Sequence, residues 1–152
     1  MKGVIEPYLN FKGTTRAALD FYATVFETEK PQYLTVSDLP EPDKTEMQNY
    51  TSNMDMIMNS TININGFNLM ASDVNDEMTQ DADEFVEGNN ITLSWSGEND
   101  EDVKKVWQQF VDAGSTISMP LSPTFWASLY GILKDPYGIH WMIQSYIRPD
   151  ET

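Results

Sequence analysis

Cysteine is absent from the chain, which excludes disulfides, thiolate metal sites and cysteine nucleophiles together. Histidine occurs once, at position 140, so any imidazole ligation or proton transfer falls to that residue. Basic side chains are scarce: nine Lys and Arg stand against 24 Asp and Glu, a formal charge of −15. A surface of that sign repels phosphate backbones and anionic lipid, so neither nucleic acid nor a membrane is an expected partner. No apolar run approaches the ~20 residues of a membrane span. The opening MKGVIEPYLN meets a charge and a proline before a signal-peptide core can form. A cytoplasmic protein is the expectation. Asn49-Tyr50-Thr51, Asn59-Ser60-Thr61 and Asn90-Ile91-Thr92 fit the glycosylation pattern but mean nothing without an export signal. Walker, dinucleotide and Ser-His-Asp signatures are missing as well.

What is present suffices for a core. The 152 residues are 40% hydrophobic and 12% aromatic, within the ~100–200 residues usual for one domain. Residues 4–11, VIEPYLNF, alternate as a strand, with Ile5, Pro7, Leu9 and Phe11 on one face and Glu6, Tyr8 and Asn10 on the other. Pro7 lacks a ladder donor and places this strand near an edge. Thr14 or Thr15 caps a helix running to about Phe26, whose stripe is Ala18, Phe21, Tyr22, Val25 and Phe26. Residues 38–55, acidic and holding Pro40 and Pro42, read as a long loop. Strands follow at about 55–64 and 67–72, joined by the hairpin signal Asn65-Gly66. From Asp73 to Gly88 there are seven acidic residues and no basic one, the composition of a linker. Beyond it come a strand at 91–96, a helix from Glu98 to Gly114 with stripe Val103, Val106, Trp107, Phe110 and Val111, and strands at about 116–119, 124–133 and 139–147. Asp135-Pro136-Tyr137-Gly138 is a type I turn signature between the last two.

Each half thus reads as strand, helix and three strands. GFNLMAS at 66–72 aligns with GIHWMIQ at 138–144 at a constant offset of 72, and Phe21-Tyr22 aligns with Val106-Trp107. The expected fold is α+β: two fused βαβββ modules, at about 1–73 and 89–152, with an acidic linker at about 74–88.

PYLNFKG at 7–13, ALDFYATVF at 18–26, LMASD at 69–73, MPLSPTFW at 119–126 and DPYGIHWMI at 135–143 together resemble the PhnB-like branch of the vicinal oxygen chelate superfamily. That superfamily includes glyoxalase I, bleomycin-resistance and extradiol dioxygenase proteins. The resemblance covers nearly the whole chain. It implies one glyoxalase/bleomycin-resistance-like domain over 1–152, with curved mixed sheets around a concave pocket, helices on the outer face, and a homodimer. Some members of the branch carry a ubiquinone methyltransferase label, but no methyl-donor motif is visible here.

Strand alternation sorts side chains between the helix face and the pocket. Ile5, Leu9, Phe11, Phe67, Leu69, Ala71, Ile91, Leu93, Trp95, Ile139, Trp141 and Ile143 are expected under the helices. The alternate set faces inward: Glu6, Tyr8, Asn10, Asn68, Met70, Ser72, Thr92, Ser94, Ser96, His140, Met142 and Gln144. Phe125, Trp126 and Tyr130 of a TFW strand are expected to line the same space. From these, Tyr8, Asn10, Met70, Thr92, Ser94, Phe125, Trp126, Tyr130 and Met142 are the candidate ligand-binding residues. Glu6 and His140 are the candidates for acid–base work.

The resemblance also implies four metal positions in the metal-dependent members. They fall on Glu6 or Pro7, Met70, Thr92 and Met142. Only Glu6 suits a hard or borderline cation, against about three ligands in a catalytic divalent site. No metal or other cofactor is therefore expected beyond a weakly held divalent ion. The leading functional expectation is metal-independent binding of a small molecule between the modules. The alternatives are a lyase, isomerase or oxygenase using Glu6 and His140, and a structural or interaction dimer with a collapsed pocket. Two further patterns have plainer readings. Asp73, Asn75, Glu77, Thr79, Asp81 and Glu84 match the spacing of a calcium loop, but position six is Met78 where glycine is required, and a solvated linker explains them. Met54, Met56 and Met58 alternate as a pliable ligand wall, but a core or dimer-interface reading is favoured on the base rates for buried Met.

Overall fold

The computed structural model describes residues 1–75 and 85–145. The chain forms two compact units, Met1–Val86 and Glu87–Thr152, and each repeats one topology. In the first, β1 (Tyr8–Phe11), α1 (Thr15–Val25), β2 (Gln32–Thr35), α2 (Glu41–Met47), β3 (Ile57–Ile64) and β4 (Phe67–Asp73) follow in order. Their sheet has the order β1-β4-β3-β2. In the second, β5 (Leu93–Gly97), α3 (Asp100–Asp112), β6 (Thr116–Ser122), β7 (Tyr130–Lys134) and β8 (His140–Ser145) build a sheet of order β5-β8-β7-β6. In each, the first and last strands pair in parallel and the other neighbours antiparallel. The crossover through the helix makes that parallel pair possible.

The helices form because their apolar residues share one face. In α1 the buried positions are Thr15, Ala18, Leu19, Tyr22 and Val25; in α3 they are Val103, Val106, Trp107 and Phe110, the three-and-four spacing of an amphipathic helix. Asn99 caps α3, its side chain accepting from the Asp102 N–H at 2.8 Å. Ser115 N–H returns to the Phe110 carbonyl at 3.2 Å across Gly114 at φ +99°, a Schellman ending that glycine adopts without steric cost. Under α1 lie Phe11, Ile62, Leu69 and Ala71; under α3 lie Leu133, Trp141 and Ile143. These are alternate strand positions, so the remaining set faces away from the helices.

Several sequence expectations need correction. The first strand is shorter than 4–11 because Pro7 cannot donate: its carbonyl accepts from Met70 N–H at 3.2 Å, and the regular ladder starts at Tyr8. Ile5, Phe67 and Ile91, expected beneath the helices, are exposed. Ile5 and Ile91 precede β1 and β5, and Phe67 sits beside Ile64 at the hairpin tip. The stretch 38–55 is no plain loop. Pro42 in the first turn of α2, with Glu41 and Asp43, starts a short helix. Met47 then packs with Val36 and Met56, flanked by Leu39, Met54 and Met58. The methionines are core here, and only Met58 lies in β3. The first of the three strands that follow the helix in the first module, to which the sequence pattern gives no range, is β2. Finally, 124–133 is not one strand. Thr124 N–H bonds the Ala127 carbonyl at 3.0 Å, and its hydroxyl accepts from Ala127 N–H at 3.2 Å. Such local bonds compete with a ladder, and β7 begins only at Tyr130. The calcium-like spacing falls mostly on 76–84, outside the described residues.

Candidate functional site

The faces turned away from the helices carry the candidate residues. On the first unit's sheet, Tyr8 stands beside Met70 and Asn10 beside Ser72. Across β3, Thr61 pairs with Met70 and Asn63 with Asn68. A polar relay runs over this face: Asn63 Nδ2 donates to Asn68 Oδ1, and Asn68 Nδ2 donates to Glu6 Oε1, each at 3.0 Å. Glu6 thus lies on the predicted face, held by a β4 amide. Thr61 and Asn63 were not singled out from sequence. Their alternation with buried Ser60 and Ile62 was the signal that could have found them.

The second unit's open face is built differently. Gly131 of β7 faces α3 so closely that a Cβ there would lie 2.7 Å from Trp107 Cζ3. Its neighbour Tyr130 therefore faces the other way, opposite Gln144 of β8. Trp126 packs edge-on against Tyr130 at 5.1 Å between ring centroids, and Phe125 against Trp126 at 4.6 Å. Phe125 is 96% exposed, Trp126 42% and Tyr130 9%. Gln144 Nε2 donates to Ser96 Oγ at 3.2 Å and Ser94 Oγ at 3.4 Å. Met142 pairs with Ser94 and Ile132 on this face, and His140 with Lys134 at its far end. The structure thus brings Ser94, Trp126, Tyr130 and Met142 together, with Phe125 at the rim. Thr92 precedes β5 and is exposed. Glu6 and His140 belong to different units.

The register bears on the metal positions. Tyr8 pairs with Met70 and Ser94 with Met142, so Glu6 and Thr92 are equivalent by the duplication, and Pro7 is not. The four donors are then one carboxylate, one hydroxyl and two thioethers, with the carboxylate engaged by Asn68. That set does not fit a catalytic divalent ion, which takes about three nitrogen, oxygen or thiolate ligands. Among the described residues no three His, Asp or Glu side chains cluster.

The DPYGIHW segment at 135–141 holds the scaffold. Asp135, 3% exposed, accepts from Tyr137 N–H, Ile139 N–H and Trp141 Nε1–H, all at 2.9 Å. Trp141 in turn packs on Phe110 of α3 at 5.4 Å between centroids. Two clefts open elsewhere on the first unit. One, of about 550 Å³, is lined by Tyr50, Asn53, Met56, Asp73 and Asn75 among others. The other, of about 540 Å³, holds Arg16, Asp20, Lys30 and Tyr33. There the Arg16 guanidinium sits 4.3 Å over the Tyr33 ring. Burial, and a 2.6 Å bond to Asp20, push the Tyr33 phenol well above its usual range. The first cleft takes in Met56 of the methionine pattern and Asp73 and Asn75 of the calcium-like spacing; neither cleft contains Glu6, His140 or any of the nine candidate ligand-binding residues.

Two βαβββ units, each with a helix-backed sheet whose other face is open, define a protein of the glyoxalase/bleomycin-resistance fold. A glyoxylase/bleomycin resistance protein/dioxygenase domain from a Frankia species superposes with a TM-score of 0.58 at 13% identity, covering 97% of this chain and 99% of that one. The model of the 3-demethylubiquinone-9 3-methyltransferase family matches residues 3–144, and the chain belongs to that PhnB-like family. Protein YjdN of Escherichia coli is 26% identical over 143 residues, 91% of this chain and 92% of YjdN. The structure of protein PA1353 from Pseudomonas aeruginosa superposes with a TM-score of 0.76 at 27% identity, covering 95% and 98% of the two chains. Among the described residues no helix is long and apolar enough to cross a membrane.

Proposed function

We propose that this chain binds a small organic molecule on the open faces of its sheets, without a metal, and does so as a homodimer. The observation that carries the reading is the second unit's open face, where an exposed aromatic pair packs on Tyr130, whose strand partner Gln144 is joined to Ser94 and Ser96 in a row of neutral polar groups. That composition, apolar walls with a few placed hydrogen-bonding groups, is the one small-molecule sites use. The donor set at the family's metal positions supports independence from metal. The family's methyltransferase name adds no chemistry that these residues supply, since a fold hosts many functions and the site decides.

The test is made on protein purified without chelator or nickel resin. Metal content is measured as purified and after incubation with iron, manganese, zinc and nickel, beside Glu6→Gln and His140→Ala. A metabolite library is then screened by thermal shift in excess chelator. Binding in chelator with no retained metal is expected. A stoichiometric metal lost in both variants would overturn the reading in favour of an enzyme, and a library with no hit in chelator would overturn it in favour of a structural dimer.

A further inference from the structure

We infer that the open face of the second sheet takes an uncharged planar heteroaromatic compound carrying a hydrogen-bond donor beside an acceptor, an aryl carboxamide or lactam in class, and discriminates against the anionic analogue. The inference rests on the small-molecule reading above and names the chemistry it selects.

Three groups point to this class. Trp126 is held by perpendicular ring contacts on Tyr130 and Phe125 yet keeps 42% of its surface open, a fixed platform for a flat molecule. The Tyr130 hydroxyl forms no hydrogen bond among the described residues, and its strand partner is Gln144. The Gln144 amide is oriented by Ser94 and Ser96, which take its N–H₂. Its Oε1 has no partner among the described residues and is left as an acceptor. Directly paired strand residues have Cβ atoms about 5 Å apart, so a phenol and an amide acceptor rise from neighbouring positions on one face, next to the indole that packs on the phenol ring. A carboxamide can donate its N–H to Gln144 Oε1 and accept the Tyr130 O–H at its carbonyl while its ring covers Trp126.

Charge decides against the acid form. Trp126, Tyr130, Gln144, Ser94 and Ser96 carry no formal charge. The basic groups of this face are at its other end: Lys134 is four residues along β7, roughly 13 Å away at strand spacing, and lies 3.5 Å from Glu87. His140 is equally far along β8. A carboxylate would present lone pairs to Gln144 Oε1 and enter the field of a chain carrying −15.

The test uses quinoline-3-carboxamide and quinoline-3-carboxylate, one ring with two head groups, titrated into ¹⁵N-labelled protein in low salt. The readout is the indole N–H resonance of Trp126, assigned by its loss in Trp126→Ala, a variant at an exposed position. The carboxamide is expected to move that resonance and saturate, with the carboxylate about tenfold weaker or more. Gln144→Leu should bring the carboxamide down to the level of the carboxylate. Equal or tighter carboxylate binding at Trp126 would overturn the ligand class while leaving small-molecule binding intact. If neither probe moves Trp126 but the library still yields a ligand in chelator, the inference fails and the wider reading stands. If neither yields binding, both fail.

Discussion

Ser145, the last residue of β8, donates a hydrogen bond of 2.5 Å to Asp100, the first residue of α3. The first unit makes the same junction with the roles exchanged: Asp73 ends β4 and accepts from the Thr15 N–H that begins α1, at 3.2 Å. The duplication conserves a polar tie between the last strand and the helix start, and not the residues that make it. In both units the carboxylate lies where the helix backbone is electron-poor.

Asp100 should contribute to acid sensitivity, as should Asp38, whose carboxyl the Thr35 N–H and hydroxyl hold low in the same way. Hydrogen bonds from Ser128 and then Ser145 hold the Asp100 carboxyl below the ordinary carboxylate range. A depressed folded-state pKa adds stability that is present above the unfolded value, about 3.9, and lost as pH falls through the lower folded value. Following Asp100 by NMR, Ser128→Ala with Ser145→Ala should raise its midpoint toward the ordinary value. A midpoint that stays put would remove these hydroxyls as the cause.

Asp73 should matter more for stability than its place near an acidic linker suggests. Its two oxygens accept from Thr15 N–H at 3.2 Å and Ile57 N–H at 2.9 Å. Both oxygens are engaged, which also weakens its reading as a calcium-loop ligand. Asp73→Ala strands two partly buried donors and should cost about 1–3 kcal/mol in urea unfolding. Asp73→Asn, which keeps one acceptor, should cost less. A loss within experimental error for the alanine variant would show that water replaces the carboxylate at no cost.

Asp135→Ala is expected to be the most damaging single change in the second unit. It removes three accepted bonds from a buried site and frees Trp141 from the turn. A loss of about 3 kcal/mol or more should follow, with altered near-ultraviolet dichroism from Trp141. Wild-type dichroism with an unchanged urea midpoint would contradict this account of the turn.

At Gly131 the constraint is space. An added methyl would meet Trp107 ring atoms at 2.7 and 2.8 Å and the Leu121 Cα at 3.0 Å. The ring can tilt, but the backbone of β6 must also give, so Gly131→Ala should cost about 1–3 kcal/mol. The check is the urea midpoint together with the Trp107 indole resonance, which should shift if the ring is displaced.

Much of this fold was legible along the chain. The stripes of α1 and α3 appear at helical spacing, and the matching segments 66–72 and 138–144 occupy the same strand of each unit. Asn65 at φ +50° and Gly66 at φ +93° make the tight hairpin that their dipeptide announces. Parity alone put Met70, Ser94, Met142 and Gln144 on the open face. Less legible were α2, whose proline marks a first turn as readily as a loop, and the Thr124–Ala127 turn, whose bonds are local and interrupt an apparently continuous apolar run.

By itself the sequence determined the class of the protein, because alternation and duplication are linear patterns that hydrophobic burial enforces wherever the chain folds. Strand pairing alone could decide which linear neighbours become partners in space. It set Tyr130 beside Gln144 and made Glu6, not Pro7, the counterpart of Thr92. It also turned the Asp135 carboxylate onto the Trp141 indole. Those relations depend on register, and register follows from the whole sheet packing on its helix, which no single segment encodes.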